Sequence, residues 1–162
     1  MSTYEPVLFP KMPKKSEKEI KALTKSLYQI FSFRRTIRNF SQTPISEEVI
    51  QNCIKIAAMA PSGANHQPWH FVAISNSTIK MKIRNAAEKE EKKFYSSLNH
   101  DEWLRALEPI GTGPNKLHLE KAPWLIVIFA ERYGIKTDGS TYKNYYVPES
   151  VGIACGFLIS AI

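Results

Sequence analysis

Cysteine is scarce. The 162 residues hold two, Cys53 and Cys155, each inside an apolar segment and without a CxxC or Cys/His spacing, so a disulfide framework and a zinc site are not expected and both read as buried free thiols. The four histidines, His66, His70, His100 and His118, lack metal-ligand spacing, and none is assigned a role. No internal repeat or low-complexity tract breaks the chain. The first 22 residues contain no apolar run, so neither a signal peptide nor an anchor is expected, and the reading is cytoplasmic. The most apolar segment, after Pro148-Glu149-Ser150, offers about a dozen residues against the roughly 20 that a bilayer needs.

What is present is an ordinary globular composition, 43% hydrophobic and 23% charged, of a length that fits one domain with a sizeable core. The net charge of +7 is scattered and does not form a stripe. Lys11, Lys14, Lys15, Lys18 and Lys21 surround an N-terminal helix, while Lys89, Lys92 and Lys93 alternate with Glu88, Glu90 and Glu91 and read as a solvated face. A nucleic-acid backbone would need a longer basic track with stacking aromatics. Only Arg34, Arg35 and Arg38 cluster tightly, and three arginine forks suit one small phosphate, because each planar guanidinium meets phosphate oxygens two at a time. Surface arginines paired with glutamates account for the cluster equally well.

Apolar periodicity predicts a one-sided helix after Ser16, with Ile20, Leu23, Leu27, Ile30 and Phe31 on its face, preceded by an extended arm over residues 1–15. A second helix is predicted from the cap Ser46 through Val49, Ile50, Cys53, Ile54 and Ala57, stopped by Pro61-Ser62-Gly63. Trp69 to Ser75 reads as a buried strand, followed by a long helix capped by Ser77 or Thr78. From Ser96 to Leu117 the pattern weakens, and that stretch reads as a mobile covering segment. Pro123 to Ala130 is a central strand, and Pro148 opens a last apolar helix in which Gly152 and Gly156 permit another helix to approach closely. That helix reaches Ile162 in mid-pattern, without a C-cap, so the chain reads as cut short.

The segment Ala60-Pro61-Ser62-Gly63-Ala64-Asn65-His66-Gln67-Pro68-Trp69 turns sharply from helix to strand, exposing backbone N–H groups and small side chains to which a flat ring could come close. Taken alone it reads as a connection rich in Pro and Gly. Taken with Arg34-Arg35-Thr36-Ile37-Arg38, it resembles the nitroreductase superfamily, whose RRSxR motif and PSxxNxQPW-like loop bind FMN. The finer resemblance is to the iodotyrosine deiodinase family. Its RRSVR, APSGAHxxPW and KIRxxxEEEExxxY patterns stand here as RRTIR, APSGANHQPW and KIRNAAEKEEKKFY, with Lys116 ahead of Ala122-Pro123. The match runs from about Tyr4 through VPESVGIACGFLISAI.

The resemblance implies an α+β nitroreductase-like FMN-binding fold with a central mixed sheet flanked by helices, as a single domain over residues 1–162, C-terminally incomplete. It assigns Arg34, Arg35, Thr36 and Arg38 to the FMN phosphate and ribityl chain, Pro61 and Ser62 to the flavin, and the Ala64 backbone N–H to a substrate phenolate. Glu91, Tyr95 and Lys116 correspond to the family's residues that close over a zwitterionic amino acid, with Glu91 for the ammonium and Lys116 for the carboxylate. By its neighbours alone Glu91 would be a solvated glutamate. The implied activity is FMN-dependent reductive dehalogenation of halotyrosine in a homodimer with FMN at the interface, without nucleic-acid or membrane partners. The competing expectations are a general NAD(P)H-dependent nitro or quinone reductase and a non-catalytic short form. Two departures stand out. Thr36 replaces the usual Ser and keeps the hydroxyl. The family continues beyond the equivalent of Ile162 with a strand bearing a Thr near the flavin N5, a further phosphate arginine and an arm around the partner, so these residues alone are expected to bind FMN weakly or not at all.

Overall fold

The computed structural model describes residue 5, residues 8–96 and residues 101–162. His100 and parts of the expected arm, residues 1–4, 6 and 7, lie outside the described residues. The chain falls into two compact units, Met1–Thr36 and Ile37–Ile162.

The first unit is built on helix α1, Glu17–Ser32. Its start is fixed by a reciprocal capping box in which the Ser16 N–H donates to Glu19 Oε2 at 2.7 Å and the Glu19 N–H donates to Ser16 Oγ at 3.3 Å. Ile20, Leu23 and Leu27 lie on one side, as the periodicity predicts, and all three are exposed.

The second unit packs two helices against a strand pair. Helix α2, Glu47–Ala58, and helix α6, Val147–Ala161, meet each other, and Ala57 and Ala154 are fully buried, so the small side chains allow the two backbones to approach. Strand β1, Trp69–Ile74, pairs antiparallel with β2, Leu125–Ala130, placing Phe71 opposite Ile128 and Ala73 opposite Ile126. Phe71, Ile126 and Ile128 thereby present one face to the core of Cys53, Ala57 and Leu158. Cys53 is buried and its thiol donates to the Ala161 carbonyl at 3.4 Å, while Cys155 is half-buried.

Helix α3, Ser77–Ser96, follows β1. Its cap is Asn76, whose Oδ1 accepts from the Ile79 N–H at 3.0 Å, rather than Ser77 or Thr78. The weakly patterned stretch carries a short helix, α4, Asp101–Leu107, and a 3-10 turn over Glu108–Ile110 ending at the left-handed Gly111. A four-residue helix, α5, His118–Lys121, leads into β2. Strands β3, Tyr133–Ile135, and β4, Thr141–Lys143, form a hairpin whose turn places Gly139 at φ 82°. Among the described residues both strand pairs are antiparallel. Gly152 and Gly156 meet nothing within 4 Å of an added Cβ; α6 packs through Ala154 and Leu158 instead, and no described helix approaches its glycine face.

Candidate functional site

In the second unit, two loops carry Pro61, Ser62, Ala64 and Lys116, and the end of α3 carries Glu91 and Tyr95. The first loop joins α2 to β1. Ala64, Asn65 and Gln67 all have positive φ, 50°, 54° and 49°, a conformation that costs a non-glycine residue on the order of 1 kcal/mol or more each. The strain is held from several sides. Ser62 Oγ accepts from the Gln67 N–H at 2.8 Å, and the hydroxyl of Ser150, 2% exposed in the first turns of α6, accepts from the Gly63 N–H at 3.2 Å. His66 Nδ1 lies 3.0 Å from Asn144 Oδ1, and Asn144 Nδ2 donates to the Glu131 carbonyl at 2.7 Å. Gly63 has no room for a side chain, since a Cβ would stand 2.7 Å from the Tyr145 carbonyl oxygen. Pro61 and Ala64 are exposed on the outside of this loop, so the fold fixes a strained backbone and presents its outer surface.

The second loop, residues 112–117, crosses the end of α3. There Glu91, Tyr95 and Lys116 line a single cavity of about 340 Å³. Lys116 Nζ stands 3.0 Å from Glu91 Oε2, with side chains 16% and 35% exposed, so the two residues predicted to bind opposite ends of an amino acid form a closed ion pair in the cavity wall. The other walls are Phe94, Trp103, Leu107 and Thr112, and Phe94 stacks edge-on to Tyr95 and to Trp103. Sequence reading missed these wall residues. Trp103 and Leu107 do sit four apart on α4, a helical spacing that could have indicated them.

Below the cavity, Glu88 Oε1 accepts from Arg84 Nε at 2.7 Å and from the Lys116 backbone N–H at 2.8 Å, and Arg84 also reaches Glu120 Oε2 at 2.8 Å. The Arg84 hydrogen bond, then that of the Lys116 N–H, holds the Glu88 carboxyl below its usual range. Glu88 is therefore tied down, with a side chain 16% exposed, and does not belong to the solvated face in which its sequence neighbours place it. Burial, reinforced by the charges of Lys116 and Arg38, pushes the His118 imidazolium pKa down.

Pro61, Ser62 and Ala64 do not line this cavity. Arg34, Arg35 and Thr36 lie in the first unit, where the Arg35 guanidinium donates to the carbonyls of Ser32 and Arg34 at 2.8 Å each; Arg38 lies in the second. A larger cavity, about 640 Å³, is lined by Arg132, Lys143, Asn144 and Tyr146 at the start of α6 and contains none of the predicted residues.

The layout of α2, the strained loop, β1 and α3 is that of an α+β fold with helices packed on an antiparallel strand pair. The family model described as the nitroreductase family matches residues 32–161, and the chain belongs to that family. It is 54% identical over 135 residues to the iodotyrosine deiodinase of Haliscomenobacter hydrossis, covering 83% of this chain and 61% of that protein. With the iodotyrosine deiodinase of Daphnia pulex it shares 41% over 157 residues, 97% of this chain and 52% of that one. The crystal structure of an oxidized iodotyrosine deiodinase bound to FMN and 3-iodo-L-tyrosine superposes with a TM-score of 0.72 at 31% identity, over 83% of this chain and 67% of the other. The chain thus spans between about half and three-fifths of these two curated relatives.

Proposed function

We propose that this chain forms the FMN-binding and substrate-recognising portion of a reductive dehalogenase of halogenated tyrosines. The observation that carries the reading is the convergence of Glu91, Tyr95 and Lys116 on one cavity with the carboxylate and ammonium opposed at 3.0 Å. A free α-amino acid brings one charge of each sign, so it replaces the internal ion pair with two new ones and leaves neither protein charge stranded, whereas a ligand with only one charge breaks the pair and satisfies half of it. A general nitro or quinone substrate has no use for such a set. The edge-on aromatic wall of Phe94, Tyr95 and Trp103 offers an apolar enclosure for a phenol ring.

The donor chemistry fits FMN. The Arg34-Arg35-Thr36-Ile37-Arg38 motif supplies guanidinium forks and a hydroxyl for a phosphate, Pro61 presents an apolar surface, Ser62 holds the strained loop, and the Ala64 backbone N–H serves the substrate phenolate. When bound, FMN supplies the two electrons that, with one proton, convert the carbon–halogen bond to carbon–hydrogen and halide. The protein's residues bind, orient and enclose: Glu91 takes the substrate ammonium, Lys116 its carboxylate, and Tyr95 hydrogen-bonds beside them. Reduced nicotinamide is proposed as the electron source and a homodimer as the working assembly.

With FMN and reductant supplied, iodide release from 3-iodo-L-tyrosine is expected, and Lys116→Ala lowers it at least tenfold. Turnover of a nitroaromatic without iodide release would replace this reading with the general nitroreductase.

A further inference from the structure

Lys80, Arg84, Glu88 and Glu91 follow one another on α3 at intervals of four, four and three residues, which places all four on one stripe of the helix. Each rung of the stripe holds a different point of the segment that carries Lys116 into β2. Lys80, itself 6% exposed, donates from Nζ to the Ala122 carbonyl at 2.7 Å and the Pro123 carbonyl at 3.3 Å. Arg84 reaches Glu120, Glu88 takes the Lys116 backbone N–H, and Glu91 takes the Lys116 ammonium.

We propose that Lys80, Arg84 and Glu88 are positioning residues that set Lys116 opposite Glu91 and so fix the charge separation the cavity accepts; the proposal rests on the amino-acid reading above. A lysine side chain has four rotatable bonds, so its ammonium is placed only as well as its backbone is. The sequence leading to Lys116 runs Gly111-Thr112-Gly113-Pro114-Asn115 and has little helix or strand propensity to define that backbone. The definition comes from α3. Because Glu88 and Glu91 are three apart on one helix, the grip on the Lys116 backbone and the partner of its ammonium share a rigid frame, and Arg84 orients Glu88 while tying the same frame to α5. Exposed ion pairs contribute little; here Arg84 and Glu88 are only 23% and 16% exposed, and the Glu88 oxygen accepts from both a guanidinium and an amide.

Two measurements test the proposal. The first needs no ligand: hydrogen exchange at the Lys116 amide should accelerate at least tenfold in Glu88→Ala and much less in Glu88→Gln, whose amide oxygen still accepts, while the amides of β1 and β2 keep their wild-type rates. The second compares binding of 3-iodo-L-tyrosine with that of 3-iodotyramine, which lacks the carboxylate, with FMN supplied. In Glu88→Ala the preference for the amino acid should fall at least tenfold through loss of its own affinity, iodotyramine binding should stay within twofold, and Glu88→Gln should recover most of the difference. Unchanged Lys116 exchange, acceleration spread equally through the sheet, or equal weakening of both ligands overturns the positioning role. A wild-type protein that does not discriminate between the two ligands overturns the amino-acid reading instead, and Lys116 exchange then decides the positioning claim alone.

Discussion

His118 shows how one residue reports on the charge around it. Its pKa is depressed from the ordinary 6.5 by burial first and by the charges of Lys116 and Arg38 after that. The unfolded chain therefore binds a proton that the folded chain refuses, so this contribution is complete above pH 6.5 and is lost as the pH falls through 6.5 toward the folded value. The urea midpoint is expected to drop between about pH 7.5 and about pH 5.5, and His118→Asn to flatten that drop. Glu88 acts in a separate window. Its depressed carboxyl contributes stability above its ordinary 4.5, which is lost only as the pH falls below that value. A variant whose stability slope above pH 5.5 equals that of wild type would remove His118 from the account.

Among the elements, the strained loop and the α2–α6 packing make opposite demands. Gly63 is required by the nearby Tyr145 carbonyl rather than by its own φ, so Gly63→Ala should displace the loop and disturb the resonances of Ala64 and Gln67 while leaving the β1–β2 register intact. Leu158, 5% exposed in the core, fills space between α6 and the strands, and Leu158→Ala is expected to cost about 2–5 kcal/mol in urea unfolding. Helices α1, α2, α3 and α6 were legible because their apolar residues repeat at helical spacing, and β1 and β2 because their apolar runs are long; α4 and α5, of seven and four residues, are too short for a period to show. The β3–β4 hairpin escaped notice even though Asp138-Gly139 is a turn signal, since its strands are three residues each and leave too few positions for alternation to show. Glu91, Tyr95 and Lys116, which line one cavity, were found by motif. Glu88 was hidden because charge alternation along a chain does not reveal which side of a helix a residue faces; counting from Lys80 in steps of four and three would have separated it from Lys89, Glu90 and Lys93. The loop 62–67 was legible as a turn but not as positive φ values at Ala64, Asn65 and Gln67, because the contacts that brace it at Gly63 and His66 come from Ser150 and Asn144 in distant parts of the chain.

For the whole molecule, the proposed homodimer predicts a dimer mass in sedimentation at micromolar concentration, and a monomer there would remove that proposal. The opposed Glu91 and Lys116 carry a further consequence. The protein has a net charge of +7, and the attraction of an anion to exposed arginines is screened and weakens as ionic strength rises. FMN binding should behave in this way. An amino acid entering between Glu91 and Lys116 exchanges a closed ion pair for two others, with no change in local charge, so its affinity should stay nearly flat across the same range of salt. The two ligands of one protein would then be told apart by sodium chloride alone.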